Sequence, residues 1–255
     1  MSAEQVERVL DRFVGEVARV LPVEAVWAHG SLALGDFRPA RSDLDLIAVV
    51  ARPVDPGRRR ALIALHKRLD RDPAAERLHC SYVPRRQLAE TARPHLTWAH
   101  RGVLERPVGL VTRSELLRGG RTFTGPAPAE LVPAVSGEEL AAFVREDLRG
   151  FWLPASGPLA RLSWLRDVWV DLGPLTAARA GVTLREGRLI TKGEALTELA
   201  ALGAPPLVLA DIRQRRYGAA RSAPLPWRVR RGELARRFTH RAIQELLARG
   251  ETGAV

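Results

Sequence analysis

The sequence predicts an α/β (α+β) N-terminal domain at residues 1–130 followed by an all-α helical-bundle domain at residues 131–255. Two observations carry this. The first eighty-odd residues read helix, strand, loop, strand, helix, strand, the order of a small α/β unit. Beyond residue 137 the patterning is helical to the end.

The elements follow in order. Val6, Val9, Leu10, Phe13, Val14, Val17 and Leu21 recur at three- and four-residue intervals, one apolar stripe of an amphipathic helix over 3–21 that Pro22 helps to stop. VEAVWAH (23–29) and LDLIAVVA (44–51) read as strands, the second almost continuously apolar, as a strand buried on both faces is. Between them a loop of small and polar residues runs from Gly30 to Ser42. A second helix is expected over 58–69 and a third strand over 77–83. Residues 84–130 hold Pro94, Pro107, Pro126, Pro128 and the Gly119–Gly120 pair among short strand-like pieces, and read as the end of the first domain and the way out of it. Ser136 with Glu139 three residues on is a capping-box spacing. Helical stripes follow near 137–152, 159–181, 192–203, 208–217 and 232–249, with Gly250 as the terminator of the last.

A length of 255 residues suffices for one large or two ordinary cores without disulfides, and the single Cys80 excludes a disulfide framework. No apolar run approaches the roughly 18 residues a membrane span needs. The polar, helix-patterned N-terminus is unlike a secretory signal, so a soluble, cytoplasmic protein is expected. The net charge of +11 is shared by both halves: residues 1–125 carry 21 basic and 15 acidic groups, residues 126–255 carry 19 and 14. The surplus is therefore no basic tail. One cluster stands out. From Arg213 to Arg237 there are nine arginines and one acid, Glu233, with Tyr217 and Trp227 interleaved. It reads either as a solvated face with a basic loop or as a polyphosphate or nucleic-acid surface.

The chemistry concentrates in His29-Gly30-Ser31-Leu-Ala-Leu-Gly-Asp-Phe-Arg-Pro-Ala-Arg-Ser42-Asp43-Leu44-Asp45-Leu46. Gly30 and Ser31 leave the first strand in a small turn whose backbone amides can approach a phosphate closely. Asp43 and Asp45 open the second strand two residues apart, and period-two geometry points both carboxylates to one face. Two like charges held so near are costly unless a cation sits between them, and oxygen-only ligands favour Mg²⁺ shared with substrate phosphates.

Strand, Gly-Ser, spacer, and Asp-x-Asp opening an apolar strand together resemble the DNA-polymerase-β-like nucleotidyltransferase superfamily. The resemblance implies a small mixed sheet flanked by helices, with Ser31 and Ser42 helping to hold a triphosphate and Asp43 and Asp45 binding Mg²⁺. The implied reaction is attack of a hydroxyl on the α-phosphorus of a nucleotide, releasing pyrophosphate. The second half is similar to aminoglycoside adenylyltransferases of the streptomycin/spectinomycin type. In that family an Arg and, thirteen residues later, a Lys reach the nucleotide phosphates from the helical domain, and Arg179 and Lys192 match in type and spacing. Lys192 is one of only two lysines in the chain, the other being Lys67, although it also reads as the opening of a helix surrounded by Glu194 and Glu198. Tyr217 lies near the family's nucleotide-contacting Tyr with the spacing off by one, and Val111–Pro126 resembles the family's connection between domains. By this resemblance ATP and Mg²⁺ bind in a cleft between the two domains, and antibiotic resistance is an implied role.

One departure is serious. The family's third carboxylate, a Glu acting as base on a later strand, is replaced at the matching position by His79. A histidine can serve as the base, its ordinary pKa being roughly 6.5. It reads equally as a satisfied core histidine or as a substrate contact. Glu76 faces the opposite side of an ideal strand. His29 reads as packing beside the turn, and Trp152, Trp164 and Trp169 as core. Asp167 and Asp171, one helical turn apart, either meet a cationic acceptor or pair with Arg166 and neighbours. No zinc spacing, Walker loop or Rossmann fingerprint is present.

The expected function is transfer of AMP from ATP to a hydroxyl of a small molecule, an aminoglycoside being the first choice, with pyrophosphate released. A polycationic drug nevertheless fits poorly with a charge of +11 and a missing Glu. The rivals are protein AMPylation or transfer to an RNA end, with a nucleic-acid partner not favoured, and an inactive nucleotide-binding module. The sequence fixes neither the acceptor nor the oligomeric state.

Overall fold

The structure, a computed structural model, describes residues 2–39, 41–219 and 223–252. The chain divides into two compact units, residues 1–135 and 136–255.

The first unit is built on one six-stranded sheet: β1 (Val23–Ala28), β2 (Leu44–Val50), β3 (Leu78–Pro84), β4 (Pro94–Ala99), β5 (Gly102–Pro107) and β6 (Arg121–Thr124), ordered β5-β4-β3-β2-β1-β6. Only β2 and β3 run parallel, so the sheet is mixed. The crossover between them is α3 (Pro56–Leu69), preceded in the chain by α1 (Ala3–Val20) and the one-turn α2 (Gly30–Ala33). α1 starts at a Ser2 capping box with Gln5 and buries Val6, Val9, Leu10, Phe13 and Val17 as its stripe requires. These side chains join Leu44, Leu46, Leu62, Leu65, Cys80 and Tyr82 in the core on one face of the sheet.

The other face is covered by α4 (Leu110–Gly119) and α5 (Pro128–Leu131), whose Leu116 and Leu117 and the following Val132 pack with Ala25, Trp27, Ile47, Val49 and Val83. That packing draws residues 131–135 into the first unit, a few residues beyond the expected boundary at 130. The segment expected to be a connection thus supplies half of the strands. β4 and β5 form a hairpin at one edge, β6 pairs with β1 at the other, and α4 lies between them in sequence. The expected loop from Gly30 to Ser42 begins instead with the helical turn α2.

The second unit begins at α6 (Gly137–Asp147). Ser136 Oγ accepts from the Glu139 amide at 3.1 Å while the Ser136 amide donates to Glu139 Oε2 at 2.9 Å, the anticipated capping box. A π-helical turn (Leu148–Trp152), α7 (Leu153–Ala155) and two 3₁₀ turns (Pro158–Ala160, Ser163–Leu165) lead to α8 (Asp167–Glu186). The stripe expected from 159 therefore starts at Asp167, because Gly157 and Pro158 break the path into it. Gly187, at φ 66°, ends α8, followed by α9 (Lys192–Ala201), α10 (Pro206–Tyr217) and α11 (Leu225–Thr252). α11 runs past Gly250, which is not its terminator. Trp164, Val170, Leu196, Leu199, Val208, Ile212, Phe238 and Ile243 form the core, with Trp152 and Trp169 packed against it. No helix among the described residues is long and apolar enough to cross a membrane.

Candidate active site

The parallel pairing of β2 with β3 sets Asp45 directly beside His79. Residues paired across strands point to the same face, and the two side chains meet: His79 Nδ1 lies 3.3 Å from Asp45 Oδ1. The His79 side chain is 5% exposed and that of Asp45 25%, so this contact forms at the mouth of a buried layer. A Nδ1–H donated to Asp45 leaves the lone pair on Nε2, the tautomer a proton acceptor needs. Burial acts to raise the Asp45 pKa, but the His79 hydrogen bond and the positive field of His29, His79 and Arg106 outweigh it and hold the carboxyl below its usual range.

The end of β1 closes the other side. The His29 amide donates to the Asp45 carbonyl at 3.0 Å, which pins the turn to the strand. Gly30 follows at φ 64°, and a Cβ there would stand 3.1 Å from Asp45 Oδ2. Glycine is favoured on both counts: the backbone is left-handed, and a Cβ would press on the carboxylate and displace it. Ser31 lies in α2, and its carbonyl accepts from the Asp36 amide at 3.0 Å. Ser42 Oγ accepts from the Arg38 amide at 3.0 Å, so its hydroxyl shapes the loop that delivers Asp43. Asp43 immediately precedes β2, 39% exposed, with Arg77 Nη1 3.3 Å from its Oδ1.

The donor set fits a divalent cation only in part. Asp43 and Asp45 are oxygen ligands two residues apart, and Asp45 keeps Oδ2 clear of His79. Among the described residues no group of three or more His, Cys, Asp or Glu is arranged to hold a metal. Two carboxylates completed by substrate phosphates and water suit Mg²⁺, which rarely takes an all-protein cage.

Three residues that sequence reasoning passed over border this site. Glu115, on α4 and buried, receives His29 Nδ1 at 3.2 Å, so His29 is held by a carboxylate and does more than pack. His100 places its ring edge-on to His79, centroids 4.7 Å apart, from the β4–β5 turn. That turn has positive φ at both His100 (52°) and Arg101 (61°), the conformation of a two-residue hairpin that Asn-Gly usually supplies. Arg106 on β5 contributes to the field at Asp45. Glu76 stays outside, 58% exposed, with Arg101 Nη1 3.7 Å away.

In the second unit, Arg179 on α8 donates Nε to the Ile190 carbonyl at 2.9 Å, tying α8 to the turn before α9. Lys192 is the first residue of α9, exposed, while Glu194 caps with Thr191 and Glu198 faces Arg185 at 3.4 Å. Lys192 forms no ion pair with either glutamate. Tyr217 ends α10, 49% exposed, with the Arg216 guanidinium 5.6 Å from its ring centroid.

Asp167 and Asp171 are engaged, but not by Arg166. Arg231, 2% exposed, bridges Asp167 and Asp211, and Arg215 bridges Asp211 and Asp171, the last at 2.7 Å. Arg236 and Arg237 both bind Glu233, and the two guanidiniums hold its carboxyl down at about 2. Part of the arginine cluster is thus internal: Arg215 and Arg231 meet carboxylates distant in sequence and Arg236 meets Glu233, while Arg213, Arg230 and Arg237 stay exposed. Arg221, also in that cluster, lies outside the described residues.

Residues 10–119 match the family described as nucleotidyltransferase domain. The first unit carries a nucleotidyltransferase domain. The matched span takes in the Gly-Ser turn, the Asp-x-Asp strand and His79, all the elements that assemble around Asp45. Among curated proteins no relative matches the sequence. Among solved structures the chain is similar to spectinomycin adenyltransferase from Enterococcus faecialis, determined with ATP and spectinomycin. The TM-score is 0.70 at 12% identity, over 93% of this chain and 99% of that one. At that identity the likeness is one of fold, and it covers residues of both units.

Proposed function

We propose that the protein transfers AMP from ATP to a hydroxyl of a small molecule and releases pyrophosphate. The observation that carries this is the register of β2 with β3, which sets an imidazole against the second carboxylate of the Asp-x-Asp pair beside the Gly30 turn. Support comes from the nucleotidyltransferase-domain match and from the fold shared with an adenyltransferase solved with ATP.

In this reading the Gly30–Ser31 turn receives the phosphates, with Ser42 shaping the approach. Asp43 and Asp45 hold Mg²⁺, which when bound neutralises charge on the phosphate oxygens. The acceptor oxygen forms a bond to the α-phosphorus as the bond to the bridging α,β-oxygen breaks, and pyrophosphate leaves with that electron pair. His79 Nε2 takes the hydroxyl proton, its tautomer set by Asp45. Arg179, Lys192 and Tyr217 are nucleotide-binding residues of the second unit. Positioning and charge stabilisation supply most of the rate, as is usual at phosphorus.

The test is pyrophosphate release from ATP with Mg²⁺ across a panel that includes spectinomycin and streptomycin, with Asp43→Asn as control. Acceptor-dependent release that disappears in the control establishes the reaction, and an aminoglycoside acceptor would make the protein an antibiotic-resistance enzyme. Tight ATP binding without release for any small acceptor would replace this reading with that of a nucleotide-binding module.

A further inference from the structure

The sheet order gives the site two sides. The phosphate-receiving turn at Gly30–Ser31 follows β1, whereas His79, β4 and β5 lie on the other side of Asp45. In-line displacement puts the attacking oxygen and the leaving pyrophosphate on opposite sides of the phosphorus. With pyrophosphate on the β1 side, the acceptor enters over β3, β4 and β5.

The side chains on that face are fixed by register. His79 and Ser81 share a face of β3, and Ser81 Oγ meets Thr97 Oγ1 of β4 at 2.9 Å. His95 lies two residues before Thr97 on the same face, and it pairs across the strands with Arg106 of β5. The face that is apolar beneath α4 and α5 therefore continues as a polar band running from Asp45 through the buried His79, Ser81, Thr97 and His95 to Arg106, with Asp45 and Arg106 as its partly exposed ends.

The cations at the far end of the band are incompletely answered. The Arg106 side chain makes no ion pair or hydrogen bond within the described residues, and only its field reaches Asp45. Arg113, projecting from α4 and 4% exposed, donates Nη1 to the Ala89 carbonyl at 3.1 Å, while its Nε has no partner and no carboxylate meets it. His95, likewise 4% exposed, has an unpartnered Nε2, and burial first and Arg93 next hold its pKa below the usual imidazole range. The neighbouring carboxylates are committed, Glu115 to His29 at 3.2 Å and Glu90 to Arg93 at 3.0 Å. Buried donors without acceptors are costly, and an anion against them recovers that cost. A polycation placed at that end would meet like charge.

We propose that the acceptor is a small hydroxyl compound that carries a carboxylate or phosphate group, and that Arg106 binds this anion while Arg113 supplies positive charge behind it. The proposal rests on the adenylyl-transfer reading. It narrows the acceptor to a class that excludes polycationic aminoglycosides.

The experiment uses the full chain and matched sets of hydroxyl compounds: neutral polyols, the same polyols as phosphate monoesters, hydroxycarboxylic acids with their amides, streptomycin and spectinomycin, and a short oligoribonucleotide. Binding is measured by calorimetry with and without Mg²⁺ and a non-hydrolysable ATP analogue, and transfer by pyrophosphate release from ATP. The expected result is binding and transfer with an anionic set at least tenfold stronger than with its neutral counterpart. Arg106→Ala should abolish that preference and Arg106→Lys should restore part of it, with affinity for the ATP analogue as the internal control. The phosphate and carboxylate arms tell the two anions apart. Equal use of charged and neutral members, efficient transfer to an aminoglycoside, transfer to the oligoribonucleotide alone, or a preference untouched by Arg106→Ala would each overturn the proposal. Failure of the adenylyl-transfer reading has a different signature: the ATP analogue does not bind, whereas Arg106-dependent anion binding is still measurable without it.

Discussion

At the scale of single residues, the site depends on what crowds Asp45. Its carboxylate has His79 on one oxygen and the Gly30 backbone against the other. Asp45→Asn keeps the shape but removes the charge, so transfer should fall on the order of 10²-fold or more, with Mg²⁺ affinity by calorimetry falling in parallel and the thermal midpoint little changed. Wild-type Mg²⁺ affinity in that variant would remove the metal assignment. Gly30→Ala forces a side chain into a left-handed backbone at φ 64° and against Oδ2, costing about 1–2 kcal/mol for the conformation alone. It should lose both stability in urea and ATP affinity. His79→Ala removes the proton acceptor while Asp45 stays in place. If Nε2 takes the hydroxyl proton, added imidazole should restore part of the lost rate, and a variant that turns over normally without imidazole would reject the base.

At the scale of elements, the second unit is braced by ions where the sequence suggested an exposed basic surface. Arg231 is almost fully buried between Asp167 of α8 and Asp211 of α10, and Asp211 also receives Arg215. Removing Arg231 leaves Asp211 with Arg215 alone and returns the half-exposed Asp167 to solvent, so Arg231→Ala should destabilise by about 1–3 kcal/mol, read from chemical denaturation. A loss below 1 kcal/mol would mean the lattice is ornamental to stability. This network also shows where sequence reading stops. The α1 stripe, the two apolar strands, the Gly-Ser turn and the Ser136 cap were legible because each is a local rule of period or spacing. The lattice was not, since Asp167 and Arg231 lie 64 residues apart and become partners only through helix packing. The β4–β5 hairpin escaped for a local reason: His100 and Arg101 adopt positive φ without the Gly or Asn that announces such a turn, and β4 opens on a proline. β6 has only four residues and takes its identity from pairing with β1. His79 was located from the motif, but its contact with Asp45 needed the β2–β3 register.

At the scale of the whole molecule, each unit has its own core, and the acid stability of the chain should be governed early by buried imidazoles whose pKa burial lowers, His95 and above all His66. His66 on α3 is 2% exposed, stacked on Trp98 at 4.9 Å, with Nε2 2.7 Å from the Tyr82 hydroxyl. Burial pushes its pKa down from 6.5 to about 3. The sign follows from which state holds the proton. Between about pH 6.5 and 3 the unfolded chain protonates this histidine and the folded chain does not, so the unfolded state binds more protons and stability falls as pH falls. One proton of difference corresponds to about 1.4 kcal/mol per pH unit. Glu233, held at about 2, adds a second loss as pH falls below 4.5 through that value, which leaves pH 5–6.5 as the window for His66. Denaturation midpoints across that window should drop steadily for the native chain. In His66→Gln, which keeps a hydrogen-bonding group for Tyr82 but cannot take up the proton, the slope should flatten by about one proton. An unchanged slope would mean that some other group takes up the proton as the chain unfolds, and that His66 is not what limits the fold in acid.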